Sequence, residues 1–126
     1  MEAARGMPES LRQMLECRFD RLRPEEQGVL EIGSVVRSEF TAAIVASGLE
    51  VDIEQIEVWC EGLARRGQWL RLRGHSVWPD GTVSARYDFI HALYQEAVYN
   101  RITAARRLRL HRRIGERLEA GYGEQA

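Results

Sequence analysis

Apolar residues recur along this chain with two different periods, and the change from one to the other divides it. From Pro8 onward, Leu11, Met14, Leu15, Phe19 and Leu22 fall at helical spacing, with Pro in the first turn and Glu9 placed to favour the helix dipole. This predicts a leading helix over residues 8–22, preceded by a loose segment at residues 1–7. Arg23-Pro24-Glu25-Glu26 stops that helix and opens a second one, which carries Val29, Leu30, Ile32, Val35 and Val36. Thr41 starts a short third helix through Ala43, Ile44 and Val45, ended by Gly48. Asp52 is placed as the N-cap of a fourth, with Ile53, Ile56, Trp59, Cys60 and Leu63 inward and Gly67 just past its end.

The period then falls to two. Trp69–Arg73 and Val83–Phe89 alternate as strands, and Trp78-Pro79-Asp80-Gly81-Thr82 between them is a turn: Pro presets φ and Gly accepts a positive φ. The pair predicts a hairpin, interrupted near Gly74-His75. Helical spacing returns from His91 to Ile102, and again from Ala104 to about Ala120, with Leu110, Ile114 and Leu118 on one line. Three short helices followed by two strands spell a winged helix over residues 23–90. One helix precedes it and a helical pair at 91–122 follows. The expectation is a mostly α, small α+β fold.

Composition narrows the chemistry. The 126 residues are 44% apolar and 29% charged with a formal net charge of −1, which suits a single soluble domain and gives no bulk attraction to nucleic acid or anionic membranes. All 18 basic residues are arginine, so mechanisms that need a lysine are excluded, including a P-loop lysine and a Schiff base. Cys17 and Cys60 form no CxxC pair and read as buried or idle thiols; no metal site is expected. There is no apolar signal core and no apolar run of bilayer length, so a cytoplasmic location without membrane contact is expected.

Charge is unevenly spread. From Glu50 to Arg66 there are five acids against two arginines, so Glu54, Glu57 and Glu61, read as outward positions of the fourth helix, would face phosphates without donors for base edges. DNA is therefore a disfavoured partner. The last two helices carry Arg101, Arg106, Arg107, Arg109, Arg112, Arg113 and Arg117 against Glu116. This run reads either as a solvated face or as an interaction surface, through Arg106, Arg109, Arg113 and Arg117, for an acidic partner or a nucleotide's phosphates. The opposite charges of the two regions also fit packing within the chain.

One histidine, His91, sits where the strand of Ala85, Tyr87 and Phe89 runs into the helix of Ala92, Leu93, Ala97 and Val98. A helix N-terminus presents unpaired N–H groups and partial positive charge, which suits an anion. The alternative is a cap histidine bonded within its own fold. His75 in the hairpin and His111 in the last helix read as exposed or structural, and Tyr94 and Tyr99 as core or interface aromatics.

The segment Leu22-Arg23-Pro24-Glu25-Glu26-Gln27-Gly28-Val29-Leu30-Glu31-Ile32-Gly33-Ser34-Val35-Val36, then Phe40, then Trp59-Cys60-Glu61-Gly62-Leu63-Ala64-Arg65-Arg66, resembles the winged-helix region of bacterial STAND ATPases. These are multidomain signalling ATPases of AAA type, often transcriptional regulators. Phe89-Ile90-His91-Ala92-Leu93 with Tyr99, followed by Arg107-Leu108-Arg109-Leu110-His111 and Ile114-Gly115-Glu116-Arg117-Leu118-Glu119, is similar to the same proteins just ahead of their tetratricopeptide-like helical repeats. The likeness spans about residues 8–122. It implies an ATPase core before this module and a repeat array after it as partners, in cis or as separate chains, with ADP or ATP held by that core. It also implies a nucleotide contact for His91: in related immune receptors a histidine of a Met-His-Asp motif at this junction meets the β-phosphate of ADP. Here Phe89 and Ile90 precede the histidine, and Ala92 replaces the aspartate.

The chain has no GxxxxGK[ST] loop, acidic Walker B strand or repeat array, so no enzyme activity and no cofactor of its own are expected. The leading expectation is a non-catalytic regulatory module that couples nucleotide state in a neighbouring core to output. The alternatives are a DNA-binding winged-helix transcription factor and a protein-interaction domain without a nucleotide link.

Overall fold

A computed structural model describes residues 8–36, 39–67 and 69–122, the last three through their backbone alone. Its elements are α1 (Glu9–Asp20), α2 (Pro24–Val36), β1 (Glu39–Thr41), α3 (Ala42–Leu49), α4 (Ile53–Arg65), β2 (Leu70–Val77), β3 (Val83–Phe89), α5 (Ala92–Arg101) and α6 (Ala104–Tyr122). The fold is mostly helical with one small antiparallel sheet in the order β1-β3-β2. The loose segment expected at residues 1–7 lies outside the described residues.

Local chemistry sets the helix ends. Pro24 occupies the first turn of α2, and the Glu26 side chain accepts from the Arg23 amide at 3.2 Å, satisfying a donor that the helix leaves open. Gln27 ties the α1–α2 corner by donating to the Phe19 and Leu22 carbonyls at 2.9 and 3.3 Å. Thr41 caps α3 by accepting from the Ile44 amide. That helix does not stop at Gly48. It continues one residue, and Glu50 ends it in the left-handed conformation at φ 59°. Gly48 serves packing instead: a Cβ there would lie 2.5 Å from Ile32 Cδ1. Asp52 holds the N-cap position of α4 but makes no side-chain capping bond.

The expected hairpin has a third strand. β1, only three residues long, pairs Glu39, Phe40 and Thr41 with Asp88, Tyr87 and Arg86 on the far side of β3. β2 pairs with β3 from Leu70↔Phe89 to Val77↔Val83, and the expected interruption is a bulge that leaves Arg73 as the extra residue between Leu72 and Gly74. Alternation along β3 holds as expected: Ala85, Tyr87 and Phe89 are buried, while Arg86 and Asp88 are half-exposed.

One core joins the leading helix, the middle elements and the C-terminal pair. Leu15 and Phe19 of α1, Val98 of α5 and Leu110 of α6 belong to the same buried cluster as Leu30, Ile32, Leu63 and Tyr87. Trp69 fixes one end of it, edge-on to Phe19 and Tyr94 at 6.0 and 5.3 Å between ring centroids. Phe40 fixes the other, packed on Tyr87 and Phe89, and a Cβ on Gly33 would come within 2.6 Å of its ring. Ile53 and Trp59 are half-buried rather than fully inward, and Leu118 and Met14 are exposed. Cys60 is buried and Cys17 exposed. Among the described residues, no helix is long and apolar enough to cross a membrane.

Candidate functional site

The β3–α5 junction is built by the sheet. Leu70↔Phe89 pairing and an Ile90 amide bond to the Trp69 carbonyl at 3.0 Å carry the chain to His91 in extended conformation. There His91 caps α5 with its own side chain: Nδ1 accepts from the Leu93 amide at 3.0 Å, while its carbonyl accepts from the Tyr94 amide at 3.0 Å. An accepting Nδ1 carries no proton, so the neutral ring keeps its proton on Nε2. His91 is exposed, and Nε2 has no hydrogen-bond partner among the described residues. The capping geometry therefore uses up the Leu93 amide that an anion at this helix start would have taken, and leaves one outward donor on the imidazole. That set fits a single contact to a phosphate oxygen.

The arginines of the last two helices are mostly engaged in the fold. Arg106 reaches Glu31 of α2 at 2.9 and 3.1 Å. Arg113 donates to the Gly48 carbonyl at 2.6 Å, satisfying the end of α3. Arg117 binds Asp80 and Thr82 of the hairpin turn at 3.2 Å each and stacks over Trp78, 4.2 Å from the ring centroid. Asp80 in turn lies below its ordinary carboxyl range, chiefly through hydrogen bonds from Thr82 and then from Arg117. Arg101 pairs with Asp20 and lies over Phe19, and Arg107 caps the Tyr99 carbonyl over the Tyr99 ring. Of the four arginines singled out as an interaction surface, only Arg109 is exposed without a side-chain bond among the described residues.

The acidic helix divides similarly. Glu54 and Glu61 are exposed on α4. Glu57 departs from its expected outward position: it is half-buried, and its carboxylate accepts from the Ala85 amide at 2.9 Å, beyond the end of the short strand β1. Ser84 completes that edge by accepting from the Ala43 amide at 2.9 Å. Glu57 thus satisfies a β3 amide beyond the end of β1, and Ser84 one of the open amides in the first turn of α3.

A second concave feature was not foreseen. A groove of about 740 Å³ runs between the α1–α2 corner and α4. Arg18, Arg21, Leu22 and Arg23 form one bank; Val58, Trp59 and Arg66 form the other. Glu26 and Trp69, both buried, close its floor. Arg66 grips Glu26 at 2.6 Å and also donates to the Gly62 carbonyl, while Arg23 stands 3.5 Å from the same carboxylate. Burial works to raise the Glu26 carboxyl, but the Arg66 bond, the Arg23 amide and both positive charges outweigh it and hold it below its ordinary value. The side chains of Arg18 and Arg21 make no bond among the described residues. The sequence signal was present in the spacing of Arg18, Arg21 and Arg23, yet the opposite bank comes from some 40 residues away.

Among the described residues, no three His, Cys, Asp or Glu side chains gather as a metal site. No protein-family model, curated protein or solved structure matches the chain.

Proposed function

We propose that this chain is a non-catalytic winged-helix regulatory module of a STAND-type signalling ATPase or transcriptional regulator, acting in the cytoplasm and coupling the nucleotide state of a neighbouring ATPase core to output. The element order supports the winged-helix reading: α2, β1, α3 and α4 are followed by the β2–β3 hairpin, with β1 adding the third strand. The observation that carries the functional reading is His91. Its cap fixes the ring at the helix start and turns a single Nε2–H outward, so the module offers one phosphate contact and relies on a core for the rest. Docked on an ADP-bound core through that contact, the module would act as a rigid body released when the nucleotide changes.

The test uses the protein joined to its ATPase core. His91→Ala should weaken ADP retention by at least about tenfold, one hydrogen bond to a charged oxygen, while the isolated chain binds no ADP. Unchanged ADP retention in the variant sinks this role. DNA binding stays the weaker alternative because Glu54 and Glu61 stand outward on α4; titration with random duplex at two salt concentrations separates the two.

A further inference from the structure

We infer that the groove between the α1–α2 corner and α4 is a docking surface for an acidic polypeptide segment that also carries apolar side chains. This does not depend on the nucleotide reading of His91. Four arginines face the groove against one carboxylate, so its charge is strongly positive in a chain whose net charge is −1. Two of the four, Arg18 and Arg21, keep all their side-chain donors unspent among the described residues, on an exposed helix end. Arg66 is held in place by Glu26 and Gly62, which orders one bank before any partner arrives.

The rest of the lining selects the kind of anion. Val58 is 61% exposed and Trp59 half-buried, a patch of apolar surface directly beside the guanidinium groups. Trp and Arg are the side chains that dominate binding energy when a partner covers them. A free phosphate compound would use the arginines but leave this apolar patch wet. A nucleic acid would lay a row of phosphates along α4, where Glu54 and Glu61 are exposed with like charge. Carboxylates spaced along a polypeptide can instead alternate with apolar anchors, meeting Arg18 and Arg21 on one bank and Val58 and Trp59 on the other.

The probe is a fluorescein-labelled peptide of repeated Glu-Glu-Leu triplets, titrated with the whole chain by fluorescence anisotropy. Binding is expected, weakening as salt rises. The double reversal Arg18→Glu with Arg21→Glu should weaken it at least about tenfold. Arg112→Glu, an exposed arginine on α6 outside the groove, should change it less than about twofold. Both sites are exposed and without side-chain bonds among the described residues, so circular dichroism of both variants should match the parent. Trp59→Ala should weaken the Glu-Glu-Leu peptide more than an all-Glu peptide of equal length. The inference is overturned by absent binding at low salt, or by equal loss in the two charge-reversal variants. It is also overturned if inorganic pyrophosphate or duplex DNA binds the groove more tightly than the peptide. A chain that dimerises in sedimentation, and loses the dimer on the Arg18/Arg21 reversal, would assign the groove to a second copy instead.

Discussion

Two arginine-rich regions of this molecule carry the same side chain to opposite ends. On α5 and α6 the guanidinium groups turn inward as struts: Arg106 to Glu31, Arg113 to the Gly48 carbonyl, Arg117 to Asp80, Thr82 and Trp78. Between the α1–α2 corner and α4 they line an open groove, and two of the four, Arg18 and Arg21, make no side-chain bond among the described residues. The denser run in the sequence is thus the one mostly satisfied by the fold, and the sparser cluster is the one with more of its donors to offer. Charge density along a chain measures neither exposure nor availability. What decides is whether acceptors from other elements, such as a helix end or a hairpin turn, reach the same place.

The comparison breaks most visibly at the ion pair on the buried Glu26 carboxylate. Arg66→Ala leaves Glu26 with only the more distant Arg23 and should cost about 2 kcal/mol in urea unfolding, less than breaking a fully buried pair because the half-exposed Arg66 is screened by solvent. Adding Glu26→Gln should recover a large part of that loss, since the stranded charge is then gone; no recovery would mean that Arg66 acts through packing alone. The same pair sets a pH window. Because the folded Glu26 carboxyl lies below its ordinary value of 4.5, its contribution is present above that pH and is lost as pH falls below it. Denaturation midpoints from pH 6 to pH 3 should therefore fall more steeply for the wild type than for Glu26→Gln, whereas parallel curves would remove the ion pair from the account.

Smaller effects sharpen the contrast on the other side. Arg117→Ala removes two hydrogen bonds and the stack on Trp78, and should cost about 1–2 kcal/mol by thermal unfolding. Arg109→Ala, on the same helix and without a side-chain bond among the described residues, should stay within about 0.5 kcal/mol of the wild type. Equal losses at the two positions would erase the distinction between strut and free arginine.

Much of the fold was legible because it rests on local chemistry. Pro24 with Glu25 and Glu26 opens α2, Thr41 caps α3, and Pro79-Asp80-Gly81 turns the hairpin, all within a few residues of sequence. β1 was not legible, since three residues cannot display a period and its pairing lies 45 or more residues away in β3. Gly48 misled for a related reason: a glycine that reads as a stop is needed there for its missing side chain against Ile32. At the candidate sites the identity of His91 was visible but its cap was not, because which ring nitrogen is spent depends on the turn the backbone takes into α5. Glu57 and the groove were hidden more deeply. Both depend on helix α4 meeting chain drawn from elsewhere, the Ala85 amide in one case and the α1–α2 corner in the other.

The spacing of the α6 struts has a mechanical consequence. Arg106, Arg113 and Arg117 are spread over 11 residues, about 16 Å of helix at 1.5 Å per residue, and tie α6 in turn to α2, the end of α3 and the hairpin tip. A pull along the axis of α6 loads all three ties together in shear, so the helix slides as a bolt only when every tie yields. A sideways tug at its C-terminal end loads the Arg117 tie first and releases the hairpin tip before anything else. The direction of the load, rather than its size alone, selects which part of the molecule gives way.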